Sequence, residues 1–73
     1  MIQILSEGEI ENEDALVEMT LQFNQVIIPN DDAARELTHW YAIKQDGEEM
    51  LYVGTPETFA QYIDENGGSE SLN

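Results

Sequence analysis

Carboxylates are the one abundant reactive group in this chain. Glu7, Glu9, Glu11, Glu13, Asp14 and Glu18 crowd one stretch, and Asp46, Glu48 and Glu49 form a second cluster. Along an extended strand, alternate side chains stand about 6.7 Å apart, close to the spacing of successive phosphates on a nucleic-acid strand. A row of glutamates at that spacing offers a protein surface the charge pattern of a phosphate backbone. The same residues would also serve as a solvated face kept acidic for solubility. The overall balance favours the sharper reading. Sixteen acids face only Arg35 and Lys44, giving a formal charge of −14 over 73 residues. Such self-repulsion weakens a compact state, and a few lysines would relieve it.

Other chemistries find little support. His39 is the single histidine, cysteine is absent, and no serine-centred nucleophile motif occurs, so an enzyme is not expected. The run Asp64-Glu65-Asn66-Gly67-Gly68-Ser69-Glu70 superficially suggests a calcium loop. Its ligand spacing does not fit an EF-hand, and neither a metal nor a cofactor is expected. Two basic residues cannot build a patch that binds nucleic acid directly. Without cysteine there is no disulfide framework and no zinc–thiolate site, which suits a reducing compartment. The start, Met1 to Glu7, lacks a signal peptide's basic region and apolar run. No segment approaches the roughly 20 apolar residues of a membrane span. A cytoplasmic protein with no membrane partner is the expectation.

The elements that must position these groups follow from periodicity. Apolar residues take the odd positions from Val17 to Phe23 and polar ones the even, the period of a half-buried strand. With Glu11 to Asp14 as a loop, residues 1–10 and 15–24 pair into a hairpin whose apolar side chains share one face. Glu7 then lies opposite Glu18. The competing reading is a helix over 13–27, since Leu16, Met19, Phe23 and Ile27 also suit helical spacing. Val26-Ile27-Ile28 extends the strand or forms a buried continuation up to Pro29. Asn30-Asp31-Asp32 can cap a short helix at about 31–38, which could also run on to Lys44. Asp46-Gly47 between two apolar runs predicts a second hairpin at about 39–53. There Trp40, Ala42, Leu51 and Val53 share one face, Tyr41, Ile43, Met50 and Tyr52 share the other, and Glu49 can pair with Lys44. Thr55-Pro56-Glu57 opens a helix over 56–65 with Phe59, Tyr62 and Ile63 on its buried stripe. The sum is a single α+β domain over 1–66, ββαββα with an antiparallel sheet, and a flexible tail at 67–73.

Tyr41 and Tyr52 are the aromatic residues best suited to an exposed, partner-binding role beside the acids. In size and charge the chain resembles the small acidic proteins that phages and mobile elements use against host defence, several of which mimic nucleic acid. These include anti-CRISPR, anti-restriction and glycosylase-inhibitor proteins. The resemblance is one of composition and transfers no residues. It implies an inhibitor whose partner is a positively charged nucleic-acid-binding protein: a nuclease, CRISPR effector, restriction enzyme or polymerase. The expected contact set is Glu7, Glu9, Glu11, Glu13, Asp14, Glu18, Asp46, Glu48 and Glu49 with Tyr41 and Tyr52. Two alternatives stay open: an immunity protein or antitoxin against a basic nuclease, and a halophilic domain with no mimicry. The sequence does not decide the oligomeric state, a dimer included.

Overall fold

Asp46-Gly47 turns the chain between its two most apolar runs, and both residues adopt positive φ, 54° and 82°. That pair of angles belongs to the tight turn whose twist matches the flanking strands. In the computed structural model, which describes residues 2–28 and 37–68, the turn joins strands His39–Gln45 and Glu48–Gly54. They pair antiparallel, with Tyr41 opposite Tyr52, Ile43 opposite Met50 and Lys44 opposite Glu49. The hairpin and the two face assignments stand as the sequence implies. We number the strands β1 (Ile2–Glu9), β2 (Val26–Ile27), β3 (His39–Gln45) and β4 (Glu48–Gly54), and the helices α1 (Glu13–Thr20) and α2 (Pro56–Glu65).

The first hairpin is not formed. β1 pairs with β3 instead, and residues 13–20 are helical. Local chemistry explains α1: the Asn12 side chain accepts from the Ala15 N–H at 2.8 Å, capping the helix. Glu13 and Asp14 occupy the first turn, where the dipole favours them. Leu16, Met19, Thr20 and Phe23 are half-buried, a spacing of three and four residues. The helical alternative for this segment therefore holds, but it ends at Thr20 rather than Ile27. Glu18 accordingly faces no strand partner, and the expected Glu7–Glu18 juxtaposition is lost.

The sheet order is β1-β3-β4-β2, with β2 parallel to β4. The sheet is thus mixed rather than antiparallel, because the β1–α1–β2 connection crosses over two strands. Leu51 sends its N–H to the Gln25 carbonyl, toward β2. For L-residues that puts β2 to the right of β4 when the sheet is viewed from the Leu51 face with β4 running upward. A right-handed crossover then carries α1 over that face, the one holding Ala42, Leu51 and Val53. α2 covers the other face, where Phe59 packs with Ile2, Tyr41, Ile43, Met50 and Tyr52, flanked by Ile27, Tyr62 and Ile63. The architecture is a single α+β domain of order βαβββα.

The helix expected at 31–38 falls mostly outside the described residues. Leu37 and Thr38 are not helical, and Thr38 extends the β3–β4 ladder by donating to the Gly54 carbonyl. The alternative in which that helix reaches Lys44 is overturned by β3. α2 has the predicted bounds, and its capping box joins Thr55 and Thr58. Gly67 and Gly68, assigned above to the tail, take positive φ, and the Gly68 carbonyl accepts from the Ile2 N–H at 3.2 Å. Residues 69–73 of that tail lie outside the described residues.

Candidate functional site

The fold sorts the carboxylates by strand direction. β1 and β4 run one way and β3 the other, so Glu9, His39 and Gly54 meet at one end of the sheet. We call this the upper end; the Asp46-Gly47 turn marks the lower, roughly 20 Å away along seven-residue β3. α1 starts just beyond β1, at the upper end, and its exit, Gln22 to Gln25, lines a cleft with Gly47, Glu48 and Glu49 at the lower. α2 starts one residue after β4 and must run back down. Its last turn reaches the hairpin tip: the Tyr62 hydroxyl donates to Gln45 Oε1 at 2.7 Å, and Gln45 Nε2 donates to Asn66 Oδ1 at 3.2 Å.

The expected contact set is therefore divided. Glu7, Glu9, Glu11, Glu13 and Asp14 belong to the upper end, and Asp46, Glu48 and Glu49 to the lower, with Glu18 in the last turn of α1. All nine are exposed. Sequence reasoning passed over Glu57, at the upper end, and Asp64 and Glu65, at the lower. The signal for the last two was available. A link of the single residue Thr55 forces α2 antiparallel to β4, so its final turn returns to the Asp46–Glu49 tip.

Electrostatically the two ends differ. Both helix N-termini point up, and Glu13, Asp14 and Glu57 sit in first turns, where the positive end of the dipole stabilises them. Both C-termini point down, and neither last turn carries a basic residue. Glu18, Asp64 and Glu65 instead add negative charge to negative dipole ends. The register sets Glu49 opposite Lys44, and Gln25 Nε2 donates to Glu48 at 3.2 Å. The cleft beside these residues, about 620 Å³, is open and mostly polar.

Tyr41 and Tyr52 do not serve as exposed anchors. They are 5% and 2% exposed, and Tyr41 stacks on Phe59 with ring centroids 3.7 Å apart. Both faces of the hairpin are covered, so these rings fill the core. Burial pushes the Tyr41 phenol above its ordinary pKa, and the charges of Glu7 and Glu57 push it further. Burial likewise raises Tyr52 and Tyr62, the latter also feeling Tyr52 and Asp46. His39 opens β3 half-buried, its Nδ1 2.8 Å from the Thr38 hydroxyl. The large apolar side chains that are exposed include Ile4 and Leu5 of β1, and Val17 and Leu21 beside α1's polar face.

Among the described residues no three His, Asp or Glu side chains converge as a metal site, and no helix is long and apolar enough to cross a membrane. Comparison with protein-family models, with curated proteins and with solved structures finds no match to this chain.

Proposed function

We propose that this chain is a small acidic inhibitor, encoded by a phage or mobile element, that occupies the basic nucleic-acid-binding groove of another protein. Anti-CRISPR and anti-restriction proteins are the nearest functional types, with a nuclease, CRISPR effector, restriction enzyme or polymerase as partner in the cytoplasm. The observation that supports this most is the lower end, where Glu18, Asp46, Glu48, Glu49, Asp64 and Glu65 gather around two helix C-termini. Helix dipoles account for Glu13, Asp14 and Glu57 at the upper end. At the lower end the same charge works against the helices, and a cationic groove would turn that cost into affinity.

The mechanism is competition without chemistry. The partner's Lys and Arg side chains meet carboxylates in place of phosphates, and long-range attraction speeds the encounter. Screening weakens it as salt rises. The test captures a partner from lysate on the immobilised protein, then challenges the complex with a DNA or RNA oligonucleotide and with salt. Release by both supports the reading. Capture indifferent to nucleic acid and to ionic strength rejects it.

A further inference from the structure

β1 ends the sheet, and among the described residues no strand lies beyond it. The direction of its backbone groups follows from the ladder. Because Leu51 bonds toward β2, Met50 and Tyr52 bond toward β3, and alternation directs Trp40, Ala42 and Lys44 toward β1. Gly8, Ser6 and Gln3 answer them, so the N–H and C=O groups of Ile4, Glu7 and Glu9 face away from the sheet. Ile2 shares that orientation, and its N–H is taken by the Gly68 carbonyl, which closes the lower end of the edge. Among the described residues nothing pairs with the outward side of the stretch from Ile4 to Glu9, about 17 Å of strand. Its side chains are exposed, Ile4 by 38% and Leu5 by 44%, with Glu7 and Glu9 beyond them.

A second copy of this chain is a poor occupant. Two molecules of charge −14 repel, and glutamates on the edge together with the irregularity between Ile4 and Ser6 oppose pairing of like edges. A strand carrying Lys or Arg at alternate positions meets the opposite conditions. Its cations face Glu7 and Glu9 across the ladder, the aliphatic stem of the next one lies along Ile4, which shares their face, and its backbone pairs with the outward groups. We infer that the β1 edge seats an extended basic segment of the partner by strand addition. The inference rests on the cationic-partner reading above and names the source of short-range specificity, which the buried tyrosines cannot supply.

Two synthetic peptides test it: acetyl-(Lys-Val)3-Lys-amide, and the same peptide methylated on the alternate backbone nitrogens that would face β1. The expected result is slowed amide exchange at Ile4, Glu7 and Glu9 with the first peptide, and at least ~tenfold weaker binding of the second. Joint Glu7→Gln and Glu9→Gln substitution should weaken the first peptide about five- to tenfold, as the loss of two cross-strand charge pairs requires. Equal binding of both peptides, or no protection on β1, overturns strand addition. If nucleic-acid-sensitive capture of the natural partner persists undiminished in the double variant, the edge inference fails while the groove reading stands. If wild-type capture ignores nucleic acid, the groove reading fails, and the peptide result still decides the edge.

Discussion

Six of the described carboxylates surround the upper end of the sheet (Glu7, Glu9, Glu11, Glu13, Asp14 and Glu57). Six belong to the lower (Glu18, Asp46, Glu48, Glu49, Asp64 and Glu65). Equal charge sits in unequal surroundings. Above, two helix N-termini absorb part of it, and the Asn12 and Thr55 caps show the acids joining an ordinary device for starting helices. Below, the same charge meets two C-termini whose last turns carry no basic residue. Acidity is thus two phenomena in one molecule, one that stabilises the fold and one that the fold tolerates.

That contrast is broken most directly by charge reversal. Glu48→Lys, Glu49→Lys and Asp64→Lys together should cut affinity for the captured partner about a hundredfold, roughly 2.7 kcal/mol. Reversing Glu11, Glu13 and Asp14 should cost far less, and equal losses measured by titration would erase the distinction. The seating of β1, which carries Glu7 and Glu9, is tested by Gly8→Val. A Cβ there would stand 2.8 Å from the Trp40 ring, closer than packing allows. The expected loss is about 1–3 kcal/mol in a denaturant melt. Neutralisation should then give opposite signs at low ionic strength. Glu13→Gln with Asp14→Asn lowers stability by about 0.3–1 kcal/mol per residue, and Asp64→Asn with Glu65→Gln raises it by a similar amount.

The smallest effect is alkaline. Tyr41, Tyr52 and Tyr62 have raised pKa values in the fold, mainly from burial. The folded state therefore keeps protons that the unfolded chain releases near pH 10. Stability should hold below that pH and fall as pH climbs above it. Denaturant midpoints at pH 9 and 11 check the sign. Glu7→Gln should ease the late ionisation of Tyr41, read at 295 nm, and leave that of Tyr62 unchanged.

The elements legible in the sequence were those whose instructions are local. Asp46-Gly47 with its flanking runs specifies β3–β4 within sixteen residues, and Thr55-Pro56 opens α2. The segment from Glu13 to Phe23 carried two instructions. Val17, Met19, Leu21 and Phe23 alternate as a strand would, while Leu16, Met19 and Phe23 also line one side of a helix. Asn12 and the two acids after it were the local clue. The decision came from elsewhere, because β1 paired along β3, itself already held in the β3–β4 hairpin, with the Trp40 ring lying over Gly8. Among site residues, exposure of the carboxylates was legible and their neighbours were not. The tyrosines showed the converse: their face was foreseen and its cover was missed.

Composition alone settled the sign and size of the field, because charge depends on how many ionisable groups a chain has and hardly on its path. Short-range order at the turn and the caps was likewise written in adjacent residues. Only tertiary structure decided which acids became neighbours, whether a helix end opposed or supported them, and which strand was left at the edge. Those outcomes depend on contacts between segments tens of residues apart, whose free energies are compared only once the whole chain has closed.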